Sequence, residues 1–309
     1  MIDIILPAGR AAIDLALFVL LPVMVVMLSL MRLLEAKGLL DWLVARLSGI
    51  IHPFGLTGLG LFAALQIQFV SFAAPVATLT MMEQRGTSDR HLAATLAMVF
   101  AMAQANTSLP LAALGLRLGP TLLFSLLGGL VAAAVAYHGF GRRLSSEEHL
   151  TDDTLHHPTA EGTKGVLDVI NRAGAEAFKI TIGAIPLLVL SLVVVTALRQ
   201  VGAVDALTHA LTPLLGVLGI DPALVLPTVV KYLAGGTAML GTVDELLRQG
   251  HFTTALLNQS AGFLINPLDL PGIAVLVSAG RRVAGVWKPA ALGAVVGIAV
   301  RTLGHALWL

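Results

Sequence analysis

The sequence predicts an all-α, polytopic membrane protein made of two homologous repeats, with broken helices and amphipathic helices at the membrane interface. Hydrophobic residues make up 57% of the 309 residues and charged residues 12%, about half the charged fraction of a soluble domain. Three segments carry no formal charge and approach the length of about 20 residues that a bilayer span needs: 15–31, 121–137 and 181–198. Two further apolar stretches are each interrupted by an Asn and a Pro.

Composition and motifs exclude several functional classes. The formal net charge is +1, so nothing indicates a nucleic-acid partner. The chain has no Cys, which excludes disulfides and thiolate chemistry. It contains no nucleophile–base pair, metal-protease motif or phosphate-binding loop, and we interpret the pair His156 and His157 as part of a solvated loop. We therefore expect no enzyme activity, no cofactor and no metal site.

The first half begins with a long apolar helix. Residues 39–51 follow with hydrophobic side chains at helical spacing, which predicts a short amphipathic helix on the membrane surface. The next apolar stretch is interrupted at residues 71–75, where two half-helices are expected. The chain then re-enters the membrane, meets the break around Asn106, and closes with the span 121–137.

The second half repeats this order after a hydrophilic linker, residues 141–165. An amphipathic lead-in and the span 181–198 come first, and residues 204–218 form a second interfacial stripe. A helix interrupted at residues 234–237 follows, and the next one meets the break around Asn266. The last span is predicted over residues 290–309.

The two halves align without gaps at one offset. Gly86 matches Gly250, and this offset of 250 − 86 = 164 also places Pro22 on Pro186. Beyond the turn the offset becomes 160, which places Asn106 on Asn266 (266 − 106 = 160). We infer one repeat over residues 1–140 and a second over residues 166–309, separated by the linker 141–165. Repeats of this size are common in transporters, and both inverted and parallel copies remain open.

The paired breaks are the first candidates for a functional site. Asn106 is followed by Pro110, and Asn266 is followed at once by Pro267. Proline lacks an N–H and clashes with the preceding turn, so each helix should stop or kink there. Corresponding interruptions in two halves indicate a transporter's binding site. We expect Asn106 and Asn266 to lie close together at a polar cavity; the alternative is a packed kink that each Asn caps.

Few other polar side chains lie in or beside the apolar segments, and these are the remaining candidates for substrate binding: Gln66, Gln68, Ser71, Gln104, Lys231, Thr237 and Asp269. An ionisable group inside a membrane indicates a functional site by default, and Lys231 and Asp269 are the two charges expected to be buried. The alternative is that Lys231 extends to the interface and Asp269 caps a helix. The set suits a neutral, polar solute such as a nucleoside, or a cation bound by carbonyls, and does not suit a polyanion.

The repeated unit resembles the Gate, or nucleoside-recognition, family of bacterial membrane proteins, which includes the spore-maturation membrane proteins. Related segments occur in the ferrous-iron transporter FeoB and in concentrative nucleoside transporters. The resemblance lies in a long span, an amphipathic helix, a helix broken at 71–75 or 235–239, and a re-entering helix broken at Asn106 or Asn266. The chain departs from FeoB in having no GTPase domain and no Cys, and from a full nucleoside carrier in lacking its extra spans.

The resemblance implies nucleoside recognition, and the paired breaks predict a multi-pass transporter or solute-binding protein of the bacterial inner membrane. The solute would bind between the two repeats at the broken helices. The alternative is a non-transporting scaffold or assembly component of the spore-maturation type. The expected partners are a small polar solute and the lipid bilayer, and a coupling ion and a homo-oligomer are left open.

We expect the linker, residues 141–165, to be exposed and dispensable for folding, because its composition cannot bury a core. Limited proteolysis there should leave two fragments that elute together in size-exclusion chromatography, at the volume of the uncut protein. Fragments that separate or aggregate would show that the two halves do not pack on each other.

Overall fold

A computed structural model of the chain describes residues 2–147 and 165–308, and these form helices joined by turns and loops. The predicted all-α class is confirmed. The middle of the linker, residues 148–164, lies outside the described residues. The helices in chain order are α1 (Ile2–Asp14), α2 (Leu21–Ala36), α3 (Leu39–Ile51), α4 (Gly58–Phe69), α5 (Pro75–Gln84), α6 (Asp89–Ala101), α7 (Ala105–Ala113), α8 (Leu118–Val135), α9 (Val166–Gln200), α10 (Ala203–Leu218), α11 (Val225–Ala234), α12 (Gly236–Arg248), α13 (Thr254–Leu264), α14 (Leu270–Val277), α15 (Arg281–Gly285) and α16 (Trp287–Trp308).

Five helical stretches in the described part of the chain are long and apolar enough to cross a membrane. Three of them contain the charge-free segments of the sequence, and the other two are the re-entering helix and the last helix. Their bounds are Ile2–Leu34, Asp89–Ala113, Leu118–Phe140, Val166–Leu198 and Trp287–Trp308. The prediction of several membrane spans is therefore confirmed.

The same order of helices occurs on each side of the linker. The long helix of the first half consists of α1, a π-helical turn and α2, and it runs from residue 2 to residue 36, whereas α9 runs from 166 to 200. Both ends are thus separated by 164 (166 − 2 and 200 − 36), the offset that the sequence predicts. The N-cap residues of α6 and α13 are Ser88 and Thr253, which are separated by 253 − 88 = 165. These helix starts do not follow the predicted offset of 160, and the division into two repeats stays a prediction.

The two amphipathic segments form α3 and α10, close to the predicted ranges 39–51 and 204–218. Large apolar side chains such as Trp42, Ile50 and Val217 are exposed on them, as expected for helices in contact with lipid. Other side chains of both stripes, including Leu43 and Leu214, lie outside the described residues. The location of α3 and α10 on the membrane surface stays a prediction.

Two pairs of short helices form hairpins, as the breaks at 71–75 and 234–237 predict. In hairpin 1, α4 and α5 are joined by the loop 70–74, and the Thr78 hydroxyl donates a 2.7 Å hydrogen bond to Gln66 Oε1 across the pair. In hairpin 2, α11 and α12 are joined at Gly235 alone, where φ is +92°. This left-handed conformation favours glycine, so the tight connection depends on that residue.

Two further helices are broken, but not both where the sequence predicts. In the second half α13 ends at Leu264 and α14 begins at Leu270, so the break contains Asn266. In the first half α6 ends at Ala101 and α7 begins at Ala105, which places the break before Asn106. The expectation that the helix stops at Pro110 is wrong, because α7 continues past it to Ala113. The alternative, a kink at Pro110, stays a prediction.

The core of the fold is a bundle of α6, α8, α13 and α16, and glycines allow its close approaches. A Cβ atom on Gly297 of α16 would lie 2.2 Å from the Gly128 carbonyl oxygen of α8. A Cβ atom on Gly262 of α13 would lie 2.5 Å from the main-chain nitrogen of Thr302. Small residues let membrane helices approach each other closely. Here the glycines allow α8 and α13 to pack closely against α16.

We expect Gly297→Ala to destabilise the protein by about 1–3 kcal/mol, because the added methyl group would overpack the contact between α8 and α16. Thermal unfolding in detergent, followed by circular dichroism, measures the effect. Gly285→Ala is the matched control, since a Cβ atom there meets nothing within 4 Å. Equal unfolding temperatures for the two variants would contradict this account of the bundle.

Candidate functional site

A small cavity lies where the loops of the two hairpins meet the starts of α7 and α14. Its volume, counted as the space that the centre of a water molecule can occupy, is about 40 Å³. That space holds a few waters and is far below the 300–1,000 Å³ typical of small-molecule pockets. The wall consists of residues from both breaks and both hairpins: Phe72, Gln104, Ala234, Gly235, Gly236, Thr237, Asp269, Pro271 and Gly272.

Asn106 joins two residues of the cavity wall that come from different hairpins. Its Oδ1 accepts a 3.2 Å hydrogen bond from the Phe72 N–H in the loop of hairpin 1. Its Nδ2 donates a 3.2 Å hydrogen bond to the Thr237 hydroxyl at the start of α12. Asn106 itself lies in the first turn of α7 and is buried. One side-chain amide therefore links both hairpin loops to a broken helix.

Gln104 is the N-cap residue of α7 and lies directly against hairpin 2. Its Nε2 donates a 3.0 Å hydrogen bond to the Thr107 hydroxyl. A Cβ atom on Gly236 would lie 1.8 Å from that Nε2 atom, so a larger residue at position 236 would displace the Gln104 side chain from its present place.

Lys231 and Asp269 form a buried ion pair beside the cavity. Lys231 Nζ lies 2.6 Å from Asp269 Oδ2, and the two side chains are 0% and 3% exposed. The alternative in which Lys231 extends to the interface is therefore wrong, because α11 packs its side chain inward. Asp269 also caps α14, since its Oδ1 accepts a 2.7 Å hydrogen bond from the Gly272 N–H. The sequence offered a buried charge and a helix cap as alternatives for Asp269, and the residue is both.

Gln66, Gln68 and Ser71 lie away from the cavity wall. Gln68 Nε2 donates to the Leu122 carbonyl at 3.1 Å, and its Oε1 accepts a 2.6 Å hydrogen bond from the Ser125 hydroxyl. Ser125 in turn accepts the Ala103 N–H at 2.7 Å. Gln68 thus supports the break before α7. Gln66 bonds within hairpin 1, where its main-chain carbonyl oxygen accepts a 3.1 Å hydrogen bond from the Ser71 N–H.

Asn266 does not meet Asn106. Its Nδ2 donates a 2.7 Å hydrogen bond to the Phe263 carbonyl, and its Oδ1 accepts the Leu268 N–H at 3.1 Å. This amide therefore bonds both to the last turn of α13 and to the loop that follows it. The two Asn side chains form no hydrogen bond with each other, and neither belongs to the described cavity wall. That Asn106 and Asn266 lie close together stays a prediction. The N-cap residues Gln104 and Asp269 occupy the corresponding places before α7 and α14 instead.

Arg301 is the functional candidate that the sequence argument missed. It lies in α16, is 0% exposed, and donates one hydrogen bond to the Ala101 carbonyl and another of 3.0 Å to the Ile265 carbonyl. These carbonyls belong to the ends of α6 and α13. The sequence feature that could have identified it is the presence of an Arg inside the predicted span 290–309, since ionisable residues at membrane depth indicate functional sites.

We expect Lys231→Met to be more destabilising than the double variant Lys231→Met/Asp269→Asn. The single change leaves a buried carboxylate without its cation, which costs about 3–5 kcal/mol in buried pairs. The double change removes both charges, and Asn can still cap α14. Thermal unfolding of the wild type, both single variants and the double variant forms a double-mutant cycle. Additive effects would show that the two charges do not interact.

Comparisons with known proteins agree with this arrangement of spans and hairpins. Residues 17–121 match the family model Gate, described as nucleoside recognition, which confirms the predicted resemblance for the segment that contains hairpin 1 and Asn106. The second Gate unit, over residues 166–309, stays a prediction. No match was found among curated proteins.

Solved structures of the concentrative nucleoside transporter CNTnw share the fold. An inward-facing, substrate-bound structure has 18% sequence identity and a TM-score of 0.71, and the match covers 95% of this chain and 74% of that chain. An outward-facing structure of a CNTnw double variant has 20% identity and a TM-score of 0.67, with coverage of 95% and 75%. Identities this low establish similarity of fold. The chain is a multi-pass integral membrane protein with the fold of a concentrative nucleoside transporter, and its residues 17–121 match the Gate domain.

Proposed function

We propose that the chain is a transporter or solute-binding protein that holds a neutral, nucleoside-like solute between the hairpin loops and the broken helices. The observation that carries the proposal is the position of Asn106, which links Phe72 of hairpin 1 and Thr237 of hairpin 2 at a single buried amide. A solute entering between the loops would replace hydrogen bonds that the protein now makes to itself.

The groups around the cavity match the chemistry of a nucleoside. The side chains of Asn106 and Gln104 each offer a donor and an acceptor, and Thr237 offers a hydroxyl. Amide side chains recognise base edges by pairing with one donor and one acceptor, and carboxylates such as Asp269 accept hydrogen bonds from hydroxyl groups. Apolar contact for a flat base is available from Phe72 and Pro271.

The charge of the site favours a neutral solute over a polyanion. Lys231 and Asp269 are paired at 2.6 Å, so their formal charges cancel beside the cavity. No Arg or Lys side chain lies in the described cavity wall. A polyanion would call for several such side chains.

The size of the cavity implies that the hairpins must separate before a nucleoside can bind. About 40 Å³ holds a few waters, and closure of this kind is typical of sites that are gated by loops. Structures of CNTnw have been solved in inward-facing, outward-facing and intermediate states. We propose that this chain likewise alternates between states and that Asn106 is among the contacts released on opening.

A thermal-shift screen of the purified protein with nucleosides, free bases and divalent cations tests the proposal. A ligand that binds only the folded protein and is present at a hundredfold excess over its Kd should stabilise it by about 2.7 kcal/mol. Asn106→Leu is expected to weaken nucleoside binding by about tenfold or more, since each lost hydrogen bond is worth about 0.5–1.5 kcal/mol. Asn171→Leu, on the exposed face of α9, is the matched control and should leave binding unchanged.

Thr237→Val provides a second variant, because it keeps the shape of the side chain and removes only the hydroxyl partner of Asn106. It should also weaken binding. If no nucleoside or base stabilises the wild-type protein, the proposal fails and the non-transporting scaffold of the spore-maturation type becomes the better account. If a ligand binds equally well to the wild type and to both variants, the binding site lies elsewhere.

A further inference from the structure

Arg301 occupies the point at which both broken helices end. Its two terminal guanidinium nitrogens donate to the Ala101 carbonyl, at the end of α6, and to the Ile265 carbonyl, directly after α13. The two acceptors lie in different halves of the chain, and Arg301 comes from a third element, α16. Its side chain is 0% exposed, so these contacts are made entirely inside the protein.

The ends of α6 and α13 supply the negative charge that Arg301 faces. The last carbonyls of a helix have no partner within it, and the helix dipole places about half a negative charge at that end. Two such ends together match the single positive charge of Arg301. In discontinuous membrane helices, unwound carbonyls and half-helix C-terminal ends are the groups that coordinate coupling cations.

The carboxylate nearest the cavity is also engaged. Asp269 Oδ2 binds Lys231 Nζ at 2.6 Å, and Oδ1 accepts the Gly272 N–H at 2.7 Å. A metal cation at the cavity would have to displace the Lys231 ammonium from this carboxylate. The carbonyls at the ends of α6 and α13 and the Asp269 carboxylate therefore already bind cationic side chains of the chain.

The surrounding helices leave space for the Arg301 side chain. A Cβ atom on Gly128 of α8 would lie 2.2 Å from Arg301 Cγ. A Cβ atom on Gly262 of α13 would lie 2.6 Å from the Arg301 carbonyl carbon. Any larger residue at either position would push α8 or α13 away. Close packing of α8 and α13 around Arg301 therefore depends on glycine at both positions.

We propose that Arg301 is a resident cation that holds the ends of α6 and α13 together and that, with Lys231, takes the place of a coupling metal ion. Solute binding by this chain then requires no sodium or other metal cation. The part that concerns solute binding rests on the proposed function. The part that concerns Arg301 and the helix ends does not, and it can be tested on the protein without solute.

The first experiment uses the wild-type protein in sodium chloride, potassium chloride and choline chloride at equal ionic strength. We expect the same unfolding temperature in all three salts without solute. With the nucleoside that binds best, we expect Kd to change by less than twofold, whereas a coupling ion would change it by about 5- to 150-fold. A higher unfolding temperature or tighter binding in sodium would overturn the proposal. Absence of nucleoside binding would contradict the proposed function and leave the measurements without solute intact.

The second experiment removes the resident cation. Arg301→Ala should lower the unfolding temperature, and guanidinium at millimolar concentration should restore part of the loss by binding the vacated carbonyls. The unfolding temperature of Arg301→Lys should lie between those of the wild type and Arg301→Ala, because an ammonium lacks the planar fork that reaches both acceptors. Arg248→Ala is the control: its side chain is 63% exposed and pairs with Asp244 on the same helix, so guanidinium should not rescue it.

Two results would contradict the role of Arg301. One is an Arg301→Ala protein as stable as the wild type. The other is a destabilised variant that guanidinium affects in the same way as it affects Arg248→Ala. If Arg301→Ala does not fold, Arg301→Lys and the salt comparison on the wild type still decide, since sodium-dependent stability of the wild type is incompatible with the proposal.

Discussion

Main-chain groups that leave a helix inside a bilayer must find hydrogen-bond partners in the protein, because the lipid offers none. Four interruptions in this fold create such groups: two hairpin loops and two helix breaks. Several of the buried polar side chains satisfy this constraint. The side chains that bind or support free main-chain groups at these places are Gln68, Asn106, Ser125, Asn266, Asp269 and Arg301.

The same constraint accounts for the location of the cavity. Side chains that satisfy a break have to converge on it, and the two breaks and two hairpin loops lie together, so polar groups accumulate there. Asn106 and Asp269 each serve the main chain with one atom and face a second partner with another. The residues that we propose to bind the solute therefore also support the main chain.

The buried charges follow the same rule of internal satisfaction. Lys231 is matched by Asp269 at 2.6 Å, and Arg301 is matched by the carbonyl ends of two helices. An unmatched charge at this depth would cost several kcal/mol. The core of the site is consequently close to neutral although it contains three formally charged side chains.

Part of the site could be predicted from the sequence. The polar residues predicted inside apolar segments include residues that line the cavity or contact its wall, namely Asn106, Gln104, Thr237, Lys231 and Asp269. The offset of 160 does not hold for the helix starts, which lie 165 apart (253 − 88), and Asn266 bonds to the Phe263 carbonyl and the Leu268 N–H and not to Asn106. Arg301 was not among the predicted candidates, because interruptions were weighed above a charge within an otherwise regular span.

The sequence alone identifies a helical membrane protein, and it indicates the approximate extents of the spans and the positions of three of the four interruptions. These properties depend on transfer of side chains from water and on backbone rules for Gly and Pro, both of which act over a few neighbouring residues. Which polar groups meet depends on the tertiary structure. Asn106 and Thr237 are 131 positions apart and Arg301 and Ala101 are 200 apart. Contacts over such separations depend on how whole helices pack against each other.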